Sequence, residues 1–362
     1  MVQAVVVPAP HARPEVRDIA QPALGPDDVR VRIAAGGVCH SDLSMVNGTL
    51  APSFPLVLGH EASGVVAEAG TRVTALSEGD RVVLNWAAAC GDCWFCGQGE
   101  PWLCSAVEGV ASLPGGTLDD GTALHNCMGV GAFAEEVVLP ARAVVPLPDG
   151  VPLDFAALLG CAVLTGVGAV RNTARVQPGQ SVLVIGLGGI GLSAVLGARL
   201  AGATEIIAVD VSPEKEDLAR AAGATDFVLS HPKLGKDVRA RTGGRGADHA
   251  FECVGAAATI RLAWSATRRG GTCTVVGVGK KDDPVTFSPL ELFHFNRTLT
   301  SSIYGSADPD RDIPELSKHV VDGGLDLAPL VTHRIGLADV PEAFERMAAG
   351  QGARSLIELA GA

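Results

Sequence analysis

Apolar and polar positions alternate through three early stretches of the chain: DDVRVRIAAGGV at 27–38, ASGVVAEAG at 62–70 and GDRVVLNW at 79–86. A period of two turns one face of each stretch toward a core, so these are half-buried strands. Gly and Pro break the first 150 residues into short β-rich pieces. From about residue 154 the pattern changes. SVLVIG at 181–186 is a continuous apolar run followed by an Ala-rich helical stretch. EIIAVDVS is another such run, followed by PEKEDLARAAGA at helical spacing. HAFECVG, IRLAWSATRRGG and TCTVVGVG continue the alternation. Apolar strand, helix, apolar strand is the βαβ pattern of a parallel sheet covered on both faces. The part from residue 307 onward holds two helix-like segments and then RSLIEL as a strand. The fold class expected is α/β.

With 362 residues the chain is long enough for two domains and a large core. Hydrophobic residues at 47% and charged residues at 19% make it globular. A formal net charge of -12 argues against nucleic acid or an acidic membrane as partner. The opening MVQAVVVPAPHARPEVRD lacks a basic segment followed by a long apolar one, so no signal peptide is expected. No run reaches the length of a membrane span. SVLVIGLGGIGLSAVLGARLAGA comes closest, but its glycines and Arg199 suit a buried strand and helix. The nine cysteines cluster at metal-like spacings, which favours thiolates on metal in a reducing cytoplasm over disulfides.

Two motifs carry chemistry. The first is Gly186-Leu-Gly188-Gly189-Ile190-Gly191, which follows an apolar strand and opens a helix. Alone it is a weak signal in a glycine-rich chain. Here an acid, Asp210, ends the next strand, nineteen residues after Gly191. Gly186 permits the tight turn, Gly188 lets the backbone approach a pyrophosphate, and Gly191 lets helix and strand pack closely. The helix N-terminus offers its free N–H groups to phosphate. Asp210 would accept from both ribose hydroxyls and repel a 2′-phosphate, which favours NAD over NADP.

The second is CGDCWFCGQGEPWLC, which places Cys90, Cys93, Cys96 and Cys104 at C-x2-C-x2-C-x7-C. Four thiolates on one short loop suit a closed tetrahedral Zn2+ site. An iron–sulfur cluster is the competing reading. Four protein ligands leave no open position, so this site argues for structure and not catalysis. Elsewhere lie Cys39, His60, Glu61 and Cys161. A Cys/His/Cys trio plus water is an open catalytic zinc set. Spacing alone does not join residues 39, 60 and 161, and each has a plain alternative as a buried core side chain.

These residues together resemble the zinc-containing medium-chain alcohol dehydrogenase family over essentially the whole chain. The resemblance rests on G-x-C-H-S-D at Gly37–Asp42, G-H-E at Gly59–Glu61, the four-cysteine loop, Gly160–Cys161, the Gly186–Gly191 turn with Asp210, and Gly-x-Arg at Gly352–Arg354. The wording around the loop is similar to bacterial members, including those that oxidise thiol adducts of formaldehyde. The resemblance implies a GroES-like, β-rich catalytic domain from 1–162 and 304–362. It also implies an NAD-binding Rossmann domain, a doubly wound parallel sheet, over 163–303.

It further implies two Zn2+ per chain. Cys39, His60 and Cys161, with Glu61 within reach, would hold the catalytic ion, and Cys90, Cys93, Cys96 and Cys104 the structural one. Asp42 would orient His60. Ser41 would take the alcohol proton as hydride leaves for the nicotinamide. Members of this family end the proton relay in a histidine five residues after the first zinc cysteine. This chain has Ser44 there, a poor final base at neutral pH. His40 and Arg354 are assigned to the coenzyme pyrophosphate, Thr165 and Val276 to the nicotinamide, Lys215 to the adenosine ribose, and Trp86 to the substrate wall.

Two substrates compete. One is a primary or aryl alcohol or its aldehyde. The other is a thiol adduct of formaldehyde, which needs basic residues near the pocket for the thiol's carboxylates. The run from Ser105 to Ala141 has no Lys or Arg and includes Glu108, Asp119 and Asp120, which favours the free alcohol. A redox-inactive NAD-binding relative is the reading from another class; a missing zinc ligand would signal it, and none is missing. The family implies a homodimer or homotetramer, and the linker between Cys104 and Gly131 leans toward the dimer.

Overall fold

The structure, a computed structural model, describes residues 1–359. Residues 360–362, which the expected catalytic domain includes, lie outside the described residues. The chain divides into two compact units. The first comprises Met1–Ala162, Asp308–Gly323 and the described tail from Val331 onward; the second comprises Val163–Ala307 and Gly324–Leu330.

The first unit is built on β-strands. Val2–Val7, Glu15–Ala20, Ser112–Leu118, Ala123–Cys127 and Leu56–Val57 close a barrel. A seven-stranded sheet runs in the order Val144–Pro146, Arg81–Leu84, Ala62–Ala69, Asp28–Gly37, Arg354–Glu358 and Val331–Ile335, with Glu136–Pro140 also paired to Asp28–Gly37. The expected alternation is visible in Asp28–Gly37. Val29, Val31 and Ile33 are buried while Arg30 and Arg32 point outward, as the pleat requires. The buried valines pack with Val66, Val82, Leu84 and Leu139 into one core. The strand RSLIEL runs antiparallel to Asp28–Gly37, pairing Leu356 with Gly37. This register carries Arg354 to the end of the sheet where Val38 and Cys39 leave it. Val331–Ile335, which the hydrophobic pattern did not reveal, pairs in parallel with that last strand.

The second unit is a six-stranded parallel sheet. Its order is Asp226–Leu229, Glu205–Asp210, Ser181–Ile185, Ala247–Glu252, Thr267–Val275 and Thr298–Ser301. In chain order this is 3-2-1-4-5-6, the doubly wound arrangement of two mononucleotide-binding halves. Leu183, Ile185, Ile207, Val209 and Ala250 from the strands pack with Trp264 of helix Ala257–Ala266. The stretch IRLAWSATRRGG is not one element: the helix ends at Ala266 and a strand begins at Thr267. No single helix among the described residues is long and apolar enough to cross a membrane.

Candidate active site

The site in the first unit starts from a short helix, His40–Val46, capped by Cys39 in an extended conformation. Asp42 closes the cap: its Oδ2 accepts the Cys39 N–H at 3.0 Å. The other oxygen of the same carboxylate, Oδ1, accepts from His60 Nδ1 at 3.0 Å and from the Gly59 N–H at 3.2 Å. One buried side chain therefore ties two distant segments together. Gly59 has φ +96°, and a Cβ there would lie 2.5 Å from the Phe133 backbone nitrogen. Only glycine fits this position. The close approach lets Ala132 and Phe133 donate to the Gly59 and Leu58 carbonyls at 2.9 Å each, which fixes the backbone that presents His60.

Cys161 comes from the turn after the short helix Ala157–Gly160. Its Sγ lies 3.4 Å from His60 Nε2. The donor atoms of Cys39, His60, Glu61 and Cys161 all lie within 4.8 Å of one another, and all four residues are buried. A tetrahedral zinc with bonds of about 2.3 Å to sulfur and 2.0–2.1 Å to nitrogen would separate such atoms by roughly 3.6–3.8 Å. The donor set fits zinc, with soft thiolates and a neutral imidazole whose other nitrogen is held by a carboxylate.

The four side chains are strongly linked electrostatically. The Cys161 thiol donates toward Cys39, and with help from Arg354 and His60 it holds Cys39 well below the usual thiol range despite burial. Cys161, as the donor, is raised. Burial opposes a charge on His60, but Asp42 and Cys161 raise its pKa overall. Burial pushes Glu61 up to about 7, with Arg354 pulling the other way. Arg354 is itself buried. Its guanidinium donates to the Val38 carbonyl at 2.9 Å and lies 3.3 Å from the Glu61 carboxylate.

Ser41 Oγ is 3.8 Å from Cys39 Sγ. His40 is exposed, with Nδ1 at 3.5 Å from Ser44 Oγ. Trp86 is half-buried and meets His60 edge-on, at 6.3 Å between ring centroids. Cys127 was not anticipated. It is fully buried, with Sγ 3.7 Å from Asp42 Oδ1. Nothing in the sequence marks it, because a lone cysteine at the end of a short strand looks like any small hydrophobe.

The four-cysteine loop forms a separate cluster. Sγ–Sγ distances are 3.5 Å for Cys93–Cys96, 3.9 Å for Cys93–Cys104 and 3.5 Å for Cys104–Cys90. These too match a tetrahedral zinc. The Cys96 N–H is the main influence that brings Cys93 down to about 6.

In the second unit the glycine turn is built as the motif requires. Gly186 has φ +91°, and a Cβ on Gly191 would run into the Gly186 carbonyl. Gly188 caps helix Gly189–Leu200 with no side-chain partner, and a Cβ there would meet nothing. The helix N-terminus is thus an open cradle that fits a pyrophosphate. Asp210 sits at the end of its strand and accepts from the Leu187 and Ser212 N–H groups at 2.8 and 3.0 Å. Lys215 is buried, and burial lowers its pKa against the pull of Asp210 and Glu214. Thr165 and Val276 are buried in the same unit.

The family model described as Alcohol dehydrogenase GroES-like domain matches residues 25–149, and the one described as Zinc-binding dehydrogenase matches 189–322. The chain belongs to the zinc-containing alcohol dehydrogenase family. An S-(hydroxymethyl)glutathione dehydrogenase of Escherichia coli O139:H28 is 38% identical over 350 residues, 94% of each chain. Among solved structures, an alcohol dehydrogenase zinc-binding domain protein from Burkholderia ambifaria superposes with a TM-score of 0.92 at 32% identity, covering 99% of both chains. The benzyl alcohol dehydrogenase of Acinetobacter calcoaceticus gives 0.91 at 28% identity with the same coverage. The chain is thus a zinc-dependent oxidoreductase of the alcohol dehydrogenase type, and NAD is the typical coenzyme of the family.

Proposed function

We propose that this alcohol dehydrogenase interconverts primary or aryl alcohols and their aldehydes, with NAD as hydride carrier. The observation that carries the reading is the buried Cys39, His60 and Cys161 set with Asp42 behind the imidazole. Three such ligands leave a position for substrate, whereas the four-cysteine cluster is closed. A zinc ion held by the three would supply Lewis acidity to a substrate hydroxyl, and bound NAD would accept the hydride.

The chain's own residues do the rest. Asp42 keeps the proton on His60 Nδ1, so that Nε2, which faces Cys161, keeps its lone pair free to ligate a metal. Ser41 is placed beside Cys39 to take the hydroxyl proton, and Ser44 is no final base at neutral pH, so the proton is released to water. Trp86 walls the substrate side. Glu61 lies within reach of the metal position. Arg354 offsets the negative charge of Cys39 and Glu61, as its contacts support, and pairs with the coenzyme pyrophosphate as the resemblance implies. Gly186, Gly188, Gly189, Ile190 and Gly191 hold the pyrophosphate, while Lys215, Thr165 and Val276 contact the rest of the coenzyme. His40 adds a phosphate contact. Asp210 selects NAD over NADP by its carboxylate.

A specific observation favours the second substrate reading: the 38% identity to S-(hydroxymethyl)glutathione dehydrogenase. Against it stands the run 105–141, without Lys or Arg to receive glutathione's carboxylates. The test is NADH formation from benzyl alcohol and simple primary alcohols, then from formaldehyde with glutathione and with other thiols. Activity only in the presence of a thiol would overturn the free-alcohol reading. We also infer a homodimer. Among the described residues the edge strand Thr298–Ser301 has one partner strand, and Leu290, Leu292, Phe293, Leu299 and Ile303 are exposed around it. Phe293→Glu should shift the mass measured by light scattering to that of one chain. We also infer a reducing, cytoplasmic setting, since cysteines grouped at metal-ligand spacings suit thiolates better than disulfides.

A further inference from the structure

Cys127 has no part in the chemistry described so far. The backbone around it is pinned. Its carbonyl accepts from Val130 and Gly131 at 2.9 and 3.3 Å, and Met128 donates to the Ala111 carbonyl at 2.9 Å. Met128, Gly129 and Gly131 all have positive φ, so the strand ends abruptly at Cys127. The side chain is 0% exposed, and its Sγ lies 3.7 Å from Asp42 Oδ1, within the longer reach of sulfur. A thiol S–H is a weak donor to a carboxylate oxygen at this distance. The oxygen it meets is the one that accepts from His60 Nδ1 and the Gly59 N–H.

We propose that Cys127 is a positioning residue whose S–H is the third donor on Asp42 Oδ1, steadying the carboxylate that orients His60 toward its zinc. The inference rests on the reading of His60 as a zinc ligand. Without the S–H, the carboxylate has one restraint fewer and can swing between its remaining donors. The imidazole then samples orientations that release the metal. A partner that steadies a metal ligand typically governs 10–100-fold in affinity, and a thiol is a weak donor, so a change of about three- to tenfold is expected.

The test measures release of the more labile zinc to a chelator from the full chain. Cys127→Val fills the same space without a donor, and Cys127→Ser restores one. Cys127→Val should release that zinc about three- to tenfold faster, with Cys127→Ser within twofold of wild type. The other zinc should stay bound in all three. Should Cys127→Val fail to fold, Cys127→Ala carries the same expectation. Unchanged release in Cys127→Val with a raised KM for alcohol would overturn the proposal, because the side chain would then meet substrate. Equal release from every variant, with two zincs in wild type, would overturn this inference alone. One zinc per wild-type chain would overturn the ligand reading beneath it as well.

Discussion

The four cysteines of the clasp fall within fifteen consecutive residues, whereas Cys39 and Cys161 stand 122 positions apart. The clasp is half-exposed, with Trp94 on it 68% accessible. The set around His60 is almost fully buried, and two of its members are held by groups from other segments: Asp42 behind His60, Arg354 beside Glu61. Both clusters use zinc-ligand chemistry, but one organises its own loop and the other reads out the whole unit. A short loop has little closure entropy to overcome, so metal alone can order it. A set gathered from far apart depends on the fold to bring its members together, and it can therefore keep a position open.

The contrast predicts different failures. The largest effect belongs to the buried set. His60→Ala or Cys39→Ala should lower kcat/KM by about 1,000-fold or more, since the metal supplies several kcal/mol of transition-state stabilisation. Metal analysis should find zinc falling from two per chain to one, with circular dichroism unchanged. Retained turnover in these variants would reverse the roles of the two clusters.

Next is Asp42→Asn. An amide nitrogen facing His60 Nδ1–H or the Cys39 N–H cannot accept as the carboxylate does. The loss should be about 10–100-fold in activity or in affinity for the buried zinc, measured by chelator competition. Cys93→Ser in the clasp should act on stability before chemistry. We expect melting to fall by on the order of 10 °C, with kcat per remaining active site near wild type. Calorimetry and active-site titration would separate these effects, and a selective fall in kcat would break the contrast.

The smallest effect comes from a buried group away from both clusters. His249 Nε2 donates to Gln180 Oε1 at 2.9 Å, and burial holds its pKa below the ordinary value. The unfolded chain therefore binds this proton first as pH falls through about 6.5, and folding weakens below that point. Melting recorded from pH 7.5 to 5 should fall more in wild type than in His249→Gln. An equal slope would remove His249 as the cause.

Much of this was legible in the sequence because it is local. The clasp and the glycine turn are written in consecutive residues, and the strands 28–37 and 181–185 declare their period. Non-local features were less visible. Val331–Ile335 carries polar residues at Thr332, His333 and Arg334, and it is a strand because its partner Arg354–Glu358 is there. Cys127 gains its meaning only when the turn at 128–131 brings it against a carboxylate 85 positions earlier. The joining of Cys39, His60 and Cys161 followed from the resemblance to a family; the physics of the sequence left them as three buried side chains.

Arg354 has a consequence for how the chain is made. The ligands and the acids around them are all synthesised by residue 161, while the cation that balances them arrives on the closing strand. A nascent chain leaving the ribosome from its N-terminus thus gathers a cluster of negative charge well before its counter-ion exists. Dehydrating that cluster is unfavourable until strand Arg354–Glu358 pairs with Asp28–Gly37, so that pairing and the burial of Glu61 are coupled.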